Sequence, residues 1–416
     1  MKRFCKNFVF TEEYIRKCLS DCLKRRWRRK DVAYFLAGYA IRHKMTDKSL
    51  HDAAKSIRHY VYSDAKARKN VKKTLFPVIA KDLLEEINNN CIPLRKIHYQ
   101  NRIDKASGKE RRIGIASIKQ QVYDYIVINA IKPMLNAKIG PYQCASIKGR
   151  GQIFGKKAIE RWIRKDEAAT KYYCKEDIYH YYPSIPRGRL KKLLARDIKN
   201  EVILKVIYRL LDTYEEGLCI GSYLCQYLAN YYLSYAWHYI DNHCYTLRRG
   251  KRINMISKKL FYMDDIILFS PNLKNLKKAR KMLHDFLKRK LGIRFKSENN
   301  YHRGSETIDM MGYKITRTHT TIRKRNWKRI RRLLVRYKNK ARTMCRNVAN
   351  KIISRNGMVK NSDSVMISRK YNIKRTLNRA KEVIRCEAKA ILPAVWQKAM
   401  IIFRFQMARR MYLSMI

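Results

Sequence analysis

Apolar residues recur at helical spacing through the first part of the chain. Tyr14, Cys18, Leu19 and Leu23 form one set, Val32 to Ile41 a second, and Leu83, Leu84 and Ile87 a third, each on a helix with basic faces. This spacing predicts a helical region over residues 1–90. The pattern then changes. Ile97-His98-Tyr99 and Arg112-Ile113-Gly114-Ile115 read as two short strands joined by a polar turn at Lys105-Ala106-Ser107-Gly108. Helical spacing returns from Gln120 to Leu135, a strand is expected over Lys171 to Ile178, and helices follow the turn at Pro183 as far as Tyr214. Gly221 to Ile240 reads as a helix with a tight apolar face. Lys259 to Asp265 and Ile266 to Ser270 read as a hairpin whose turn carries two adjacent aspartates. A charged helix (Asn275 to Lys290), the short segments Gly292 to Phe295 and Met310 to Ile315, and strongly basic helices complete the chain. Strands interleaved with helices in this order imply an α+β unit over residues 91–316, followed by a basic helical part over 317–416. Only 15 Gly and 8 Pro interrupt the 416 residues, which favours long helices.

Charge adds a partner to this picture. Lys and Arg total 95 against 33 Asp and Glu, a formal charge of +62. Repulsion on that scale opposes compaction, and because the basic residues run from end to end, a polyanion is the expected partner. Trp27 beside Lys24-Arg25-Arg26 is a candidate for stacking on single-stranded nucleic acid, although a solvated helix face explains the same residues. No apolar run is long enough to span a bilayer, and the start, Met1-Lys2-Arg3-Phe4-Cys5-Lys6, leads to charged residues and not into a signal core. The 11 cysteines contain no CxxC pair, so neither a zinc site nor a disulfide framework is expected. A cytoplasmic location and no membrane contact fit these features.

Acids are scarce, so acids set among apolar residues stand out. Asp264 and Asp265 precede the strand Ile266-Ile267-Leu268-Phe269, and Asp177 ends the strand that begins at Tyr172. Adjacent like charges repel unless a cation neutralises them. If the two strands adjoin, Asp177 and Asp264 build an all-oxygen site suited to Mg²⁺. Two such ions about 3.5–4 Å apart can activate a hydroxyl and stabilise a leaving pyrophosphate. A lone Asp-Asp pair would be only a polar turn. Tyr262-Met263-Asp264-Asp265 between apolar strands, with a second Asp strand upstream, is more specific.

Several blocks between Lys96 and Ile315 together resemble the reverse transcriptases, in that family's order. Gly108-Lys109-Glu110-Arg111-Arg112-Ile113 with Ala116-Ser117-Ile118 is similar to the fingers block, and Tyr142 with Ser146-Ile147-Lys148-Gly149-Arg150-Gly151 to the block after it. Asp177-Ile178-Tyr179-His180-Tyr181-Tyr182-Pro183-Ser184-Ile185 resembles the first catalytic-Asp block. Gly217-Leu218-Cys219-Ile220-Gly221, with Gln226 and Ala229-Asn230, resembles the helix under the nucleotide site, and Met310-Met311-Gly312-Tyr313 the primer-gripping hairpin. The resemblance implies a right-hand polymerase of fingers, palm and thumb, with extra helical parts at both ends. It implies catalytic Asp177, Asp264 and Asp265, with the Ile178 carbonyl joining them around two Mg²⁺ ions, Mn²⁺ being an alternative. The nucleotide site would comprise Lys109, Arg111, Tyr182, Ile220, Gly221, Gln226 and Lys296. Among these, Arg111 and Lys109 would hold the triphosphate, Tyr182 would exclude a 2′-hydroxyl, and Lys296 would donate a proton to pyrophosphate. Met311, Gly312 and Tyr313 would grip the primer. An RNA template, a DNA primer or cDNA and deoxynucleotides are the implied partners.

Within that family, Ile220 stands where many members carry Gln. Ile220-Gly221-Ser222-Tyr223-Leu224-Cys225-Gln226 is similar to the pattern of diversity-generating retroelement enzymes, with Cys225 replacing Ser, and Phe261 replaces the Arg common before the Tyr-Met-Asp-Asp turn. Error-prone copying and a small basic accessory protein are the corresponding expectations. A phage-defence (abortive-infection or defence-associated) reverse transcriptase is an alternative suited by the helical ends. A catalytically idle RNA-binding protein on the polymerase fold is another. No HNH-like His and Asn cluster is visible, and past Arg317 only Asp363, Glu382 and Glu387 are acidic, too few for an RNase H site. Basic helices over Lys328 to Arg346 and Arg369 to Arg385 are expected to hold the template–primer backbone.

Overall fold

The computed structural model describes residues 3–62, 64–103, 108, 110–296, 301–337 and 343–390. Four helices, α1 (Glu12–Leu23), α2 (Lys30–Arg42), α3 (Leu50–Val61) and α4 (Ala65–Asn88), form the N-terminal part. Polar side chains start three of them: Thr11, Ser49 and Asp64 each accept a hydrogen bond from a first-turn backbone N–H, satisfying donors that the helix leaves unpaired. Trp27 does not face solvent. It is buried and stacked on Phe76 of α4, with ring planes 5° apart, so its expected role in nucleic-acid stacking is overturned by core packing.

β1 (His98–Ile103) and β2 (Glu110–Ile115) form an antiparallel ribbon. The expected helix from Gln120 to Leu135 divides at Ile131 into α5 (Ile118–Ala130) and α6 (Lys132–Lys138), because Pro133 can occupy only a helix's first turn without breaking its hydrogen bonds. A capping box between Ser117 and Gln120 starts α5. β3 (Gln143–Cys144), α7 (Gln152–Lys165), β4 (Tyr172–Asp177), α8 (Tyr181–Ser184), α9 (Arg187–Asp197), α10 (Glu201–Leu211) and α11 (Tyr223–His243) follow. The ribbon β5 (Tyr245–Arg248)–β6 (Lys251–Asn254) leads to β7 (Lys258–Tyr262), β8 (Asp265–Ser270), α12 (Leu273–Phe286) and β9 (Tyr301–Arg303).

The central sheet has the order β3-β7-β8-β4-β9, with β3 parallel to β7 and the other pairs antiparallel. Both faces are covered. Ile266 and Leu268 of β8 pack into the core shared with α5, α11 and α12, whereas Ile267 and Phe269 join a second core with Trp162 of α7. Burial on both sides explains why this strand is continuously apolar. Glu176 and Arg280, both buried, form a two-point ion pair (2.9 and 3.3 Å) that ties β4 to α12. Gly292 to Phe295 makes no strand; Phe295 alone bridges Ile178.

Three short strands, β10 (Ile308–Met310), β11 (Tyr313–Ile315) and β12 (Thr320–Ile322), form a separate small sheet. The run from Met310 to Ile315 is therefore not one strand. Met311 and Gly312 both take positive φ at its turn. Helices α13 (Lys324–Arg336), α14 (Arg346–Lys360), α15 (Val365–Lys370) and α16 (Ile373–Ala390) complete the described chain. The helix expected over Lys328 to Arg346 stops at Arg336, and the one over Arg369 to Arg385 is interrupted at Asn372, whose φ of +44° is a left-handed conformation no helix continues through. No helix among the described residues is long and apolar enough to cross a membrane.

Candidate active site

Strand register brings the acids together. Asp177, the last residue of β4, lies directly opposite Asp265, the first of β8, while Tyr262 of β7 pairs with Asp265 from the other side. Met263 and Asp264 make the tight turn between β7 and β8, with Met263 at φ +55°. The backbone continues the ladder past the strand ends: Ile178 N donates to Asp264 O at 3.2 Å, and Lys296 N donates to Asp177 O at 2.7 Å. Burial, then the charge of Asp265 and that of Asp177, push the Asp264 carboxyl up to about 6, with Arg111 opposing the rise. Burial likewise raises Asp265, offset mainly by Lys175.

Two ammonium groups face this cluster. Lys296 Nζ lies 4.0 Å from Asp177, and Lys175 Nζ lies 3.7 Å from Asp265 while donating to the Asp309 carbonyl at 3.0 Å. Lys175 thus links the turn aspartates to β10, where Arg323 in turn holds the Asp309 carboxylate at 2.6 Å. Sequence reasoning missed Lys175. The signal was present, because residues two apart on a strand share a face and Lys175 is two before Asp177. Among the described residues, no group of three or more His, Cys, Asp or Glu side chains is gathered closely enough to hold a metal ion by itself.

Around the acids, glycines allow backbones to touch. Gly114 N donates to Ile220 O at 2.8 Å, and Ile113 bridges Ile220, so the fingers ribbon is joined to the segment before α11. Gly221 has φ +119°, and a Cβ there would lie 2.5 Å from Gly114 O; only glycine accommodates both conditions. Arg111 is exposed on β2, three residues before this junction. Ser222 caps α11, and its hydroxyl donates to the buried Asp124 carboxylate at 2.9 Å. Asn230, quoted in the sequence pattern without a role, is buried and spans three groups. Its amide donates to Ala145 O, Gln226 O and Met263 Sδ, so α11 supports the Met263-Asp264 turn directly. Gln226 is half-buried one turn earlier.

Tyr182 is half-buried, with its hydroxyl 3.8 Å from Met263 Sδ and its carbonyl accepting from Leu218 N. The side chains of Met311 and Tyr313 are buried in the second core, and Gly312 O accepts from Arg323 N, so the exposed group on this hairpin is Lys314. Lys109 lies outside the described residues. The structure therefore gathers Asp177, Asp264, Asp265, Lys296 and Tyr182 at one site and joins Ile220 and Gly221 to the Arg111 strand.

Asp124 carries a stability prediction. Burial pushes its carboxyl up to about 7 from the ordinary 3.8, against hydrogen bonds from Ser222 and Leu224. Between these two values the folded state binds more protons than the unfolded one, so stability falls as pH rises from about 4 to about 7 and is constant above. Asp124→Asn removes this slope. Urea unfolding at about pH 5 and about pH 8 should show the variant gaining relative to wild type by up to a few kcal/mol; equal pH slopes would contradict the assignment.

No curated protein matches the chain significantly. Among solved structures, apo telomerase from Candida tropicalis, truncated from its C-terminal domain, is 14% identical over 55% of this chain and 54% of that one, with a TM-score of 0.36. The chain thus spans about half the length of that telomerase chain. The family described as reverse transcriptase (RNA-dependent DNA polymerase) matches residues 103–315, the span that holds β2 of the fingers ribbon, the central sheet and all three aspartates. With more than half of its length matched, the chain belongs to the reverse transcriptase family.

Proposed function

We propose that this chain is an RNA-directed DNA polymerase that extends a DNA primer with deoxynucleotides opposite an RNA template. The observation that carries the reading is the register of β4 against β8, which opposes Asp177 to Asp265 and sets Asp264 in the adjoining turn. Burial and then the mutual repulsion of these carboxylates raise Asp264, and a divalent cation relieves that repulsion. The donor set is open, and Mg²⁺ suits an open set because it takes one or two carboxylates and completes its shell with substrate phosphates. Asp177, Asp264 and Asp265, with the Ile178 carbonyl, would hold two ions. A metal bound there would lower the pKa of the primer 3′-hydroxyl and neutralise charge on the phosphates.

The remaining residues orient the reactants. Arg111 offers a planar fork to the triphosphate oxygens. Tyr182 walls the sugar, and Lys296 Nζ supplies a proton to the pyrophosphate oxygen as the 3′-oxygen displaces it from the α-phosphorus. Met311 and Tyr313 act from the core, leaving the Gly312 turn and Lys314 to meet the primer strand. The basic faces of α13 and α14 supply sequence-independent contacts to the duplex backbone. Primer extension on an RNA template with Mg²⁺ tests the reading: wild type extends and Asp264→Ala does not.

The subgroup reading is that of an error-prone enzyme of a diversity-generating retroelement. It is supported by Ile220, half-buried beside the Ile113 strand, in place of an amide that would check nascent-pair geometry. Ile220→Gln is expected to lower misincorporation by roughly tenfold or more. Sequencing the cDNA is the measurement, and an unchanged error spectrum rejects the subgroup.

A further inference from the structure

The N-terminal helices enclose a cavity separate from the catalytic sheet. It lies between α2 and α3 and has a volume of about 380 Å³, within the range of small-ligand sites. Lys30, Lys55 and Arg58 line it, together with His51 and His59, and no acidic residue contributes to its wall. Arg58 Nε is buried and has no hydrogen-bond partner among the described residues, an arrangement that costs stability unless a ligand or water accepts from it.

Aromatic rings complete the wall. Tyr34 is 39% exposed, and its hydroxyl is hydrogen-bonded to His51 Nδ1 at 2.9 Å between the two helices. Tyr62 stands at the far end with the Arg28 guanidinium 4.7 Å from its ring centre. The aliphatic lining is limited to Ala33 and Ala54, so an apolar peptide anchor would find little to pack against. Cationic groups without acids, an unpartnered guanidinium donor and an accessible ring are the complement of one nucleotide: phosphate for the charges, base for the ring.

We propose that the α2–α3 cavity is a docking pocket for a nucleotide of single-stranded RNA. Lys30, Lys55 and Arg58 hold the phosphate, and the Tyr34 ring stacks on the base, while His51, tilted 60° to that ring, holds the Tyr34 hydroxyl. The pocket gives the N-terminal helices a role as an RNA anchor distinct from the duplex contacts of the C-terminal helices. The choice of RNA over another polyanion rests on the polymerase reading above.

The test uses the full chain and poly(U). Ultraviolet crosslinking followed by peptide mapping is expected to place crosslinks on α2 or α3, at Tyr34 or His51. The exposed pair Lys30→Glu with Lys55→Glu, and separately Tyr34→Ala, should weaken poly(U) binding by roughly tenfold or more. Tyr34→Phe, which keeps the ring, should restore affinity. The charge-reversed protein and Tyr34→Ala should both extend a short pre-annealed RNA–DNA primer pair as wild type does. Crosslinks confined to other segments, or unchanged poly(U) affinity in the charge-reversed protein, overturn the proposal, as does tighter binding of an acidic peptide than of poly(U) that the same variants abolish. A wild-type protein that crosslinks poly(U) at Tyr34 but extends no primer would instead refute the polymerase reading and leave the pocket standing.

Discussion

Asp264→Ala is expected to cut primer extension by on the order of a hundred- to a thousandfold, the scale lost when one preorganised electrostatic group is removed from a transition state. The expected companion result is a protein that is no less stable. Asp264 sits in a turn between two others of its kind, and its carboxyl is pushed up to about 6 by burial, by Asp265 and by Asp177. Removing one charge from that group relieves repulsion in the ligand-free fold. A structural role predicts the opposite pairing, with lost activity following lost stability. Measuring single-turnover extension and thermal midpoint on the same preparation separates the two. The supports of the turn, Asn230 and the Ile178 backbone bond, do not involve the Asp264 side chain, so the strand register should survive the change. Undiminished extension by this variant would refute the assigned mechanism.

Much of this site was legible in sequence because the chain is poor in acids and rich in strand patterning. Asp177 and Asp264 each end or follow a strand-like run, and such residues cannot be far from a strand end. The ribbon β1–β2 was likewise readable from two short strand-like runs flanking a polar turn, and the hairpin β7–β8 from the apolar runs flanking the Asp pair. What was not legible depends on distant partners. β3 has only two residues, Gln143 and Cys144, and is a strand only because β7 lies beside it. Trp27 sits among basic residues in sequence, yet Phe76 forty-nine positions later decides that it is core. Glu176 adjoins Asp177 in sequence, but alternation turns it to the opposite face, where Arg280 of α12 meets it. Pro133 signals the break at Ile131, but the apolar spacing continues through it and masks the signal.

Tyr182→Ala is expected to raise ribonucleotide incorporation relative to deoxynucleotide incorporation by roughly 10- to 200-fold, the discrimination that packing against a small group can supply. The ring's position is set by backbone, which is why its removal should act on selectivity and not on folding. Gly217, at φ +37°, brings its chain so close that a Cβ would lie 2.3 Å from Pro183 O and 2.6 Å from Tyr182 O. Leu218 N closes the contact by donating to Tyr182 O at 2.9 Å. On the other side the hydrogen-bond partner of the Tyr182 hydroxyl among the described residues is Met263 Sδ, a weak acceptor, at 3.8 Å. Tyr182 therefore stands between the Gly217–Gly221 segment and the Met263-Asp264 turn, a wall held from its main chain. Because the hydroxyl contributes little, Tyr182→Phe should discriminate like wild type, while Ala opens the space. The measurement is kcat/KM for matched ribo- and deoxynucleotides on one RNA template with all three proteins. If Ala and Phe behave alike, the ring is a core residue and sugar selection lies elsewhere.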